Sequence, residues 1–181
     1  MGFLYDAYIR SYSLNTEDDA DFFQYIDDLY FREELQRMSV YPQHGDINRV
    51  QHILSVAYLS YVLAKKYNAR VKEVCRGAIL HDLFYYDWHV GEKGHRLHGY
   101  RHPGFALKNA RALTVLNKIE EDIIKRHMWP LTPTPPRYKE SYIVTLADKY
   151  CAWQEILICR IKSHREKFQK NLNTLNKVRE L

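Results

Sequence analysis

The chain is 181 residues long and 46% hydrophobic, which suits one domain with a sizeable core and excludes a disordered chain. Its formal net charge is +5, but the basic residues are scattered apart from a run between Arg160 and Lys170. A nucleic-acid partner is therefore disfavoured; a solvated basic helix, or a basic rim around a phosphate pocket, is the plainer expectation.

No apolar run approaches the ~20 residues needed to span a bilayer, so no membrane partner is expected. The start lacks a secretory signal, and Asp6 breaks the myristoylation pattern. Cys75, Cys151 and Cys159 form no CxxC pair and read as reduced, buried residues of a cytoplasmic protein.

Taken in chain order, the first predicted helix runs from an N-cap at Thr16, followed by Glu17, Asp18 and Asp19, to about Met38. Phe22, Phe23, Ile26, Leu29, Tyr30 and Leu35 supply its apolar stripe. The aromatic group Phe22, Phe23, Tyr25, Tyr30 and Phe31 offers a self-association face, compatible with a homodimer. A second helix is predicted from near Asp46 to near Asn68, with Val50, Ile53, Val56, Ala57 and Leu63 on one side and His52 beside them. A third covers about Arg70 to Phe84.

Residues 86–101 are polar, hold three of the seven glycines and three histidines (His89, His95, His98), and read as a loop over a site. Pro103 suits the first turn of a fourth helix carrying Phe105, Leu107, Ala110, Leu113 and Leu116. A fifth covers about Lys118 to Met128, and the prolines between Trp129 and Pro136 exclude regular helix there. A last helix, or pair of helices, runs from about Tyr138 towards the C-terminus. No segment alternates with period two, so the fold class is all-α: a single-domain bundle of six or more helices with its site between facing helices.

The chemistry lies in an ordered set: His52, then His81–Asp82 closing an apolar run, then His102, His127 and Asp148. Each alone has a plain role, such as a satisfied histidine or a capping carboxylate. Together, on core-facing helices, they are costly unless something pairs them, and a metal ion does so economically. Asp148 sits inside an apolar helix (Ile143, Val144, Leu146, Ala147), where Lys149 cannot easily neutralise it because adjacent helix residues point apart.

This set resembles the HD-domain superfamily of metal-dependent phosphohydrolases. The resemblance is carried by Gln51–His52, Leu80–Leu83, Arg101–Pro103, Lys125–His127 and Leu146–Lys149, over roughly residues 44 to 156. It implies that His52, His81, Asp82 and Asp148 hold a first metal. Asp82, the residue on which catalysis turns, would bridge to a second metal held by His102 and His127. The cofactor is then one or two divalent transition metals (Fe, Mn, Co, Ni or Zn) with imidazole and carboxylate ligands. The substrate implied is a small phosphate monoester or diester, a nucleotide among the candidates, attacked by metal-activated water.

Arg101, Lys149 and His44 are the substrate-binding candidates, with Lys93, Arg96 and Arg126 as further cations. Asp87, Trp88 and His89 closely follow the His–Asp pair and are placed to line the pocket, with Trp88 or Tyr86 available to stack on a base. The division expected is an N-terminal helical extension over residues 1–40, an HD domain over 41–160 and a basic C-terminal helix or tail over 161–181.

Two departures narrow the activity. Relatives that hydrolyse guanosine tetraphosphate carry Glu-Asp where this chain has Tyr85 and Tyr86. Relatives that cleave cyclic dinucleotides carry a second His and a Gly-Tyr-Pro motif where this chain has Met128, Trp129 and Pro130. Three readings compete with hydrolysis: a non-catalytic HD module that binds a nucleotide or metal and regulates a partner, a nucleic-acid binder using the basic C-terminal segment, and an HD-type oxygenase with a mixed-valence di-iron centre.

Overall fold

The structure, a computed structural model, describes residues 2–90 and 97–179. Their regular elements are α1 (Phe3–Arg10), α2 (Ala20–Phe23), α3 (Asp27–Tyr30), α4 (Glu33–Gln36), a 3-10 turn (Arg37–Val40), β1 (Pro42–His44), β2 (Ile47–Asn48), α5 (Arg49–Lys66), α6 (Val71–Leu80), α7 (His98–Leu113), α8 (Lys118–Arg126), α9 (Lys139–Arg160) and α10 (Lys162–Arg179). The fold is all-α, as expected.

Helix α5 is central. It is buried on nearly all sides from Arg49 to Tyr61 and packs against α6 and α9. Helix α8 closes on α6 and α9, and α7 lies on α8. Gly77 permits the α6–α8 approach, since a Cβ there would lie 2.6 Å from Ile123 Cδ1 and 2.8 Å from its Cγ2. A capping box starts α8: the Asn117 side chain accepts from the Glu120 amide, and the Glu120 carboxylate accepts from the Asn117 amide.

Several boundaries differ from the sequence reading. The predicted helix over residues 16–38 is broken into α2, α3, α4 and the 3-10 turn. Asn15, not Thr16, caps the first turn by accepting from the Glu17 and Asp18 amides. Asp19 instead pairs with Arg10 at 2.7 Å. The breaks let Phe22, Phe23, Ile26, Leu29 and Leu35 all turn inward. Phe22 and Phe23 are therefore core residues, and the proposed self-association face loses its first two members.

A short antiparallel hairpin, β1 with β2, stands where the second helix was expected to begin. Its turn needs Gly45, which has φ +60° and lies against Cys159, where a Cβ would collide with the thiol. Helix α5 then starts at Arg49, capped by the Asn48 side chain accepting from the Gln51 amide at 2.9 Å.

Helix α7 begins at His98 rather than at Pro103, so the proline falls in its second turn at the cost of one intrahelical bond. The C-terminal region is a pair of helices, broken by extended backbone at Ile161. Helix α10 is anchored on α1 and α9, with Phe168 buried and its ring 4.9 Å from that of Tyr12. Among the described residues no helix is long and apolar enough to cross a membrane. Cys75 and Cys151 are buried, Cys159 is half-buried, and all three are free.

Candidate metal centre

Five helices deliver six ligand-type side chains to one place. Helix α5 carries His52. The end of α6 carries His81, with Asp82 just beyond it. Helix α7 carries His102, the end of α8 carries His127, and α9 carries Asp148. All six are buried.

On one side, His52 Nε2 lies 3.2 Å from Asp148 Oδ1, and His81 Nε2 lies 3.7 Å from the same oxygen. On the other, Asp82 Oδ1 faces His102 Nε2 at 3.1 Å and His127 Nε2 at 3.6 Å. Among the described residues, two ligand groups are compact enough to share an ion: His52, His81 and Asp148, and His81, Asp82 and His127. His81 belongs to both.

The imidazoles are held from behind. His81 Nδ1 lies 2.7 Å from the Ala78 carbonyl, His102 Nδ1 2.9 Å from that of His98, and His127 Nδ1 2.9 Å from that of Ile124. A carbonyl only accepts, so each Nδ1 carries a proton, and in the neutral ring that ligates a metal each Nε2 is the free acceptor aimed inward. His102 Nε2 and His127 Nε2 then face each other at 2.8 Å, lone pair to lone pair. His81 Nε2 and Asp82 Oδ1 are buried without a hydrogen-bond donor. Acceptors converging like this fit a cation, and imidazole with carboxylate fits a divalent transition metal.

The electrostatics favour a cation at the cluster: burial lowers His81, but Asp82 and Asp148 outweigh it and raise it above its ordinary value. Burial and the neighbouring His102 and His81 push His127 down to about 3, which keeps it neutral and able to ligate. Burial alone would raise the Asp82 carboxyl, but His81, His102 and His127 outweigh it and hold Asp82 well below the ordinary carboxylate range. Asp148 behaves likewise, lowered against its burial by His52 and His81. Burial disfavours charge on His52, yet Glu155 and Asp148 raise it well above the ordinary value. The carboxylates that favour a proton on its Nε2 would equally favour a metal cation there.

The cluster opens into a cavity of about 590 Å³. Trp88, Met128, Pro130 and Leu131 give it apolar walls, while His44 and Lys149 bring polar groups to it. Lys149 Nζ donates to the His127 carbonyl at 2.9 Å, and its burial lowers its pKa. His44 Nε2 lies 3.9 Å from Glu155 Oε2. Trp88 stacks on His89 and His98. Tyr86 Oη lies 2.9 Å from His98 Nδ1.

The remaining candidates are placed elsewhere. Arg101 is exposed, with its guanidinium over the Phe105 ring, and does not line the cavity. Its neighbour His102 points inward, and adjacent helix residues diverge. Arg126 pairs with Asp122 at 2.8 Å and lines a different cavity beside α8. Lys93, His95 and Arg96 lie outside the described residues.

Sequence reasoning missed three residues. Glu155, fully buried, holds His52 Nδ1 at 2.9 Å. Its only sequence signal is its place seven residues after Asp148, two turns along the same helix face. Gln43 donates to Asp82 Oδ2 at 2.9 Å, and Arg49 donates to Gln43 Oε1 at 3.0 Å. Neither has a spacing that marks it.

Comparison with known proteins adds one match. A family model described as "HD domain" matches residues 49–153. No curated protein and no solved structure matches the chain.

Proposed function

The chain belongs to the HD-domain family, and from that premise we propose that it is a metal-dependent hydrolase of phosphate esters. The observation that carries this reading is the convergence of bare imidazole and carboxylate acceptors at the foot of an open cavity. HD domains are typically metal-dependent phosphohydrolases.

In this reading His52, His81 and Asp148 hold one divalent ion, and His102 and His127 hold a second. Asp82 stands between the two halves. The chemistry the metal supplies is Lewis-acid activation of water and polarisation of a phosphoryl oxygen. The protein's own residues orient and exclude. Lys149, half-buried at the cavity, offers a positive charge to an anionic ester. His44 borders the same space, and Trp88 with the Met128–Leu131 wall accommodates an organic group. The substrate class is a phosphomonoester or phosphodiester, nucleotides included. Free cysteines are in keeping with a cytoplasmic setting.

The test is elemental analysis of the purified protein, followed by assay of p-nitrophenyl phosphate and bis-p-nitrophenyl phosphate with the metal found. The wild type should contain metal and release nitrophenol, and Asp82→Ala should do neither. A metal-replete wild type that hydrolyses neither ester, with nucleotides also left intact, would favour the regulatory-module reading instead.

A further inference from the structure

Arg49 is fully buried and is among the largest side chains to be so. A guanidinium in a core must be answered by acceptors. Arg49 Nε donates to Gln43 Oε1 at 3.0 Å, one terminal nitrogen donates to the Phe84 carbonyl at 2.8 Å, and the other donates to the Tyr86 carbonyl at 3.1 Å. The guanidinium also lies 3.7 Å over the Phe84 ring.

Two constraints on Asp82 follow. Phe84 and Tyr86 belong to the segment that leaves Asp82, so Arg49 ties the chain immediately beyond the His–Asp pair to the start of α5. Arg49 also fixes which way the Gln43 amide faces. A guanidinium only donates, so the oxygen of Gln43 must face it, and the amide nitrogen must face Asp82 Oδ2, where it lies at 2.9 Å. A flipped amide would put donor against donor at one end and acceptor against acceptor at the other, in a buried place. Asp82 Oδ2 is thereby supplied with a donor. Asp82 Oδ1 is left without one, facing His102 Nε2 and His127 Nε2 at 3.1 and 3.6 Å.

We propose that Arg49 and Gln43 are a positioning pair that holds Asp82 with Oδ1 reserved for metal. The pair rests on the metal-hydrolase reading above. Gln43 borders the cavity, but the role proposed for the pair runs through its contact with Asp82.

The test is Gln43→Met, which keeps side-chain length and removes the amide. Affinity for Mn²⁺ or Zn²⁺ alone is measured by competition with a chromophoric chelator, beside the melting temperature of the metal-free protein. Loss of this outer-layer donor should weaken metal binding about 10- to 100-fold. Metal-free melting should fall, because the buried Arg49 Nε loses its acceptor, and excess metal should restore turnover, which it would not do for a purely structural lesion. Arg49→Lys, which keeps the charge but cannot hold three acceptors in a fork, should weaken metal binding in the same direction.

Wild-type metal affinity in Gln43→Met would overturn the positioning role. So would a loss of turnover that excess metal does not restore. A wild-type protein that binds no metal would instead bring down the hydrolase reading, and the pair's role with it.

Discussion

Glu155 offers a sharp test of how the centre is held. Its carboxylate accepts from His52 Nδ1 at 2.9 and 3.0 Å, and it is fully buried. That contact fixes the ring so that Nε2 points to Asp148, and it makes the imidazole a stronger donor to a cation. In Glu155→Ala the His52 Nδ1 proton loses its acceptor in a dry place, which costs about 1–3 kcal/mol. Each kcal/mol moves the melting temperature of a chain this size by roughly 2–4 °C, so a loss of ~2 kcal/mol lowers metal-free melting by roughly 4–8 °C. Removing such an outer-layer carboxylate should also weaken metal binding about 10- to 100-fold, or about 1.4 to 2.7 kcal/mol. Glu155→Gln keeps an acceptor oxygen and gives up the charge, so it should fall between wild type and Glu155→Ala in both measurements. Calorimetry of chelator-treated protein and competitive metal titration read the two effects separately. Wild-type metal affinity in Glu155→Ala would refute the argument that this carboxylate orients a ligand.

The two halves of the cluster should separate under mutation. His102→Ala or His127→Ala should remove one equivalent of metal per chain and leave the other, whereas His52→Ala, Asp82→Ala and Asp148→Ala should each lose metal and hydrolysis together, all read by elemental analysis. Wild-type metal content in all five variants would show the ligand assignment to be wrong. Gly77→Ala should destabilise the fold by about 1–3 kcal/mol, because its methyl meets Ile123 at 2.6 Å. Thermal denaturation checks this, and an unchanged melting temperature would mean that α6 and α8 have slack the packing does not show.

How much of this was legible in the sequence depends on how far each feature is local. The bundle and the six converging side chains were readable, because buried helices need apolar faces and polar groups on those faces stand out. The long helix over residues 16–38 was misread because its aromatic residues satisfy helical spacing while Asn15 and Asp19 satisfy local turns instead. The hairpin was missed because its two strands are only three and two residues long, too short for alternation to register. Arg101 was placed at the site by its neighbour His102, yet a helix sends neighbours to different faces. Gln43 and Arg49 could not have been found, since Gln43 takes its role from Asp82, 39 residues away, and Arg49 from Gln43; Glu155, whose partner is 103 residues away, had only its seven-residue spacing from Asp148 to mark it.

The position of the His–Asp pair at a helix end has a physical logic. The last turn of an α-helix leaves carbonyls with no amide to accept from. His81 is the C-cap of α6 and takes up the Ala78 carbonyl through Nδ1; His127 is the C-cap of α8 and takes up that of Ile124 in the same way. Each contact gives a last-turn carbonyl a side-chain donor (Ala78 also accepts the His81 amide, at 3.5 Å), places a proton on Nδ1 and leaves Nε2 facing the cluster. His102, within α7, uses the His98 carbonyl one turn back, whereas His52, within α5, draws on Glu155 from another helix. The chain thus orients three of these imidazoles through backbone carbonyls and the fourth, His52, through a buried carboxylate. The His52 side is the one that depends on a single distant residue, and a single substitution at Glu155 is enough to expose that dependence.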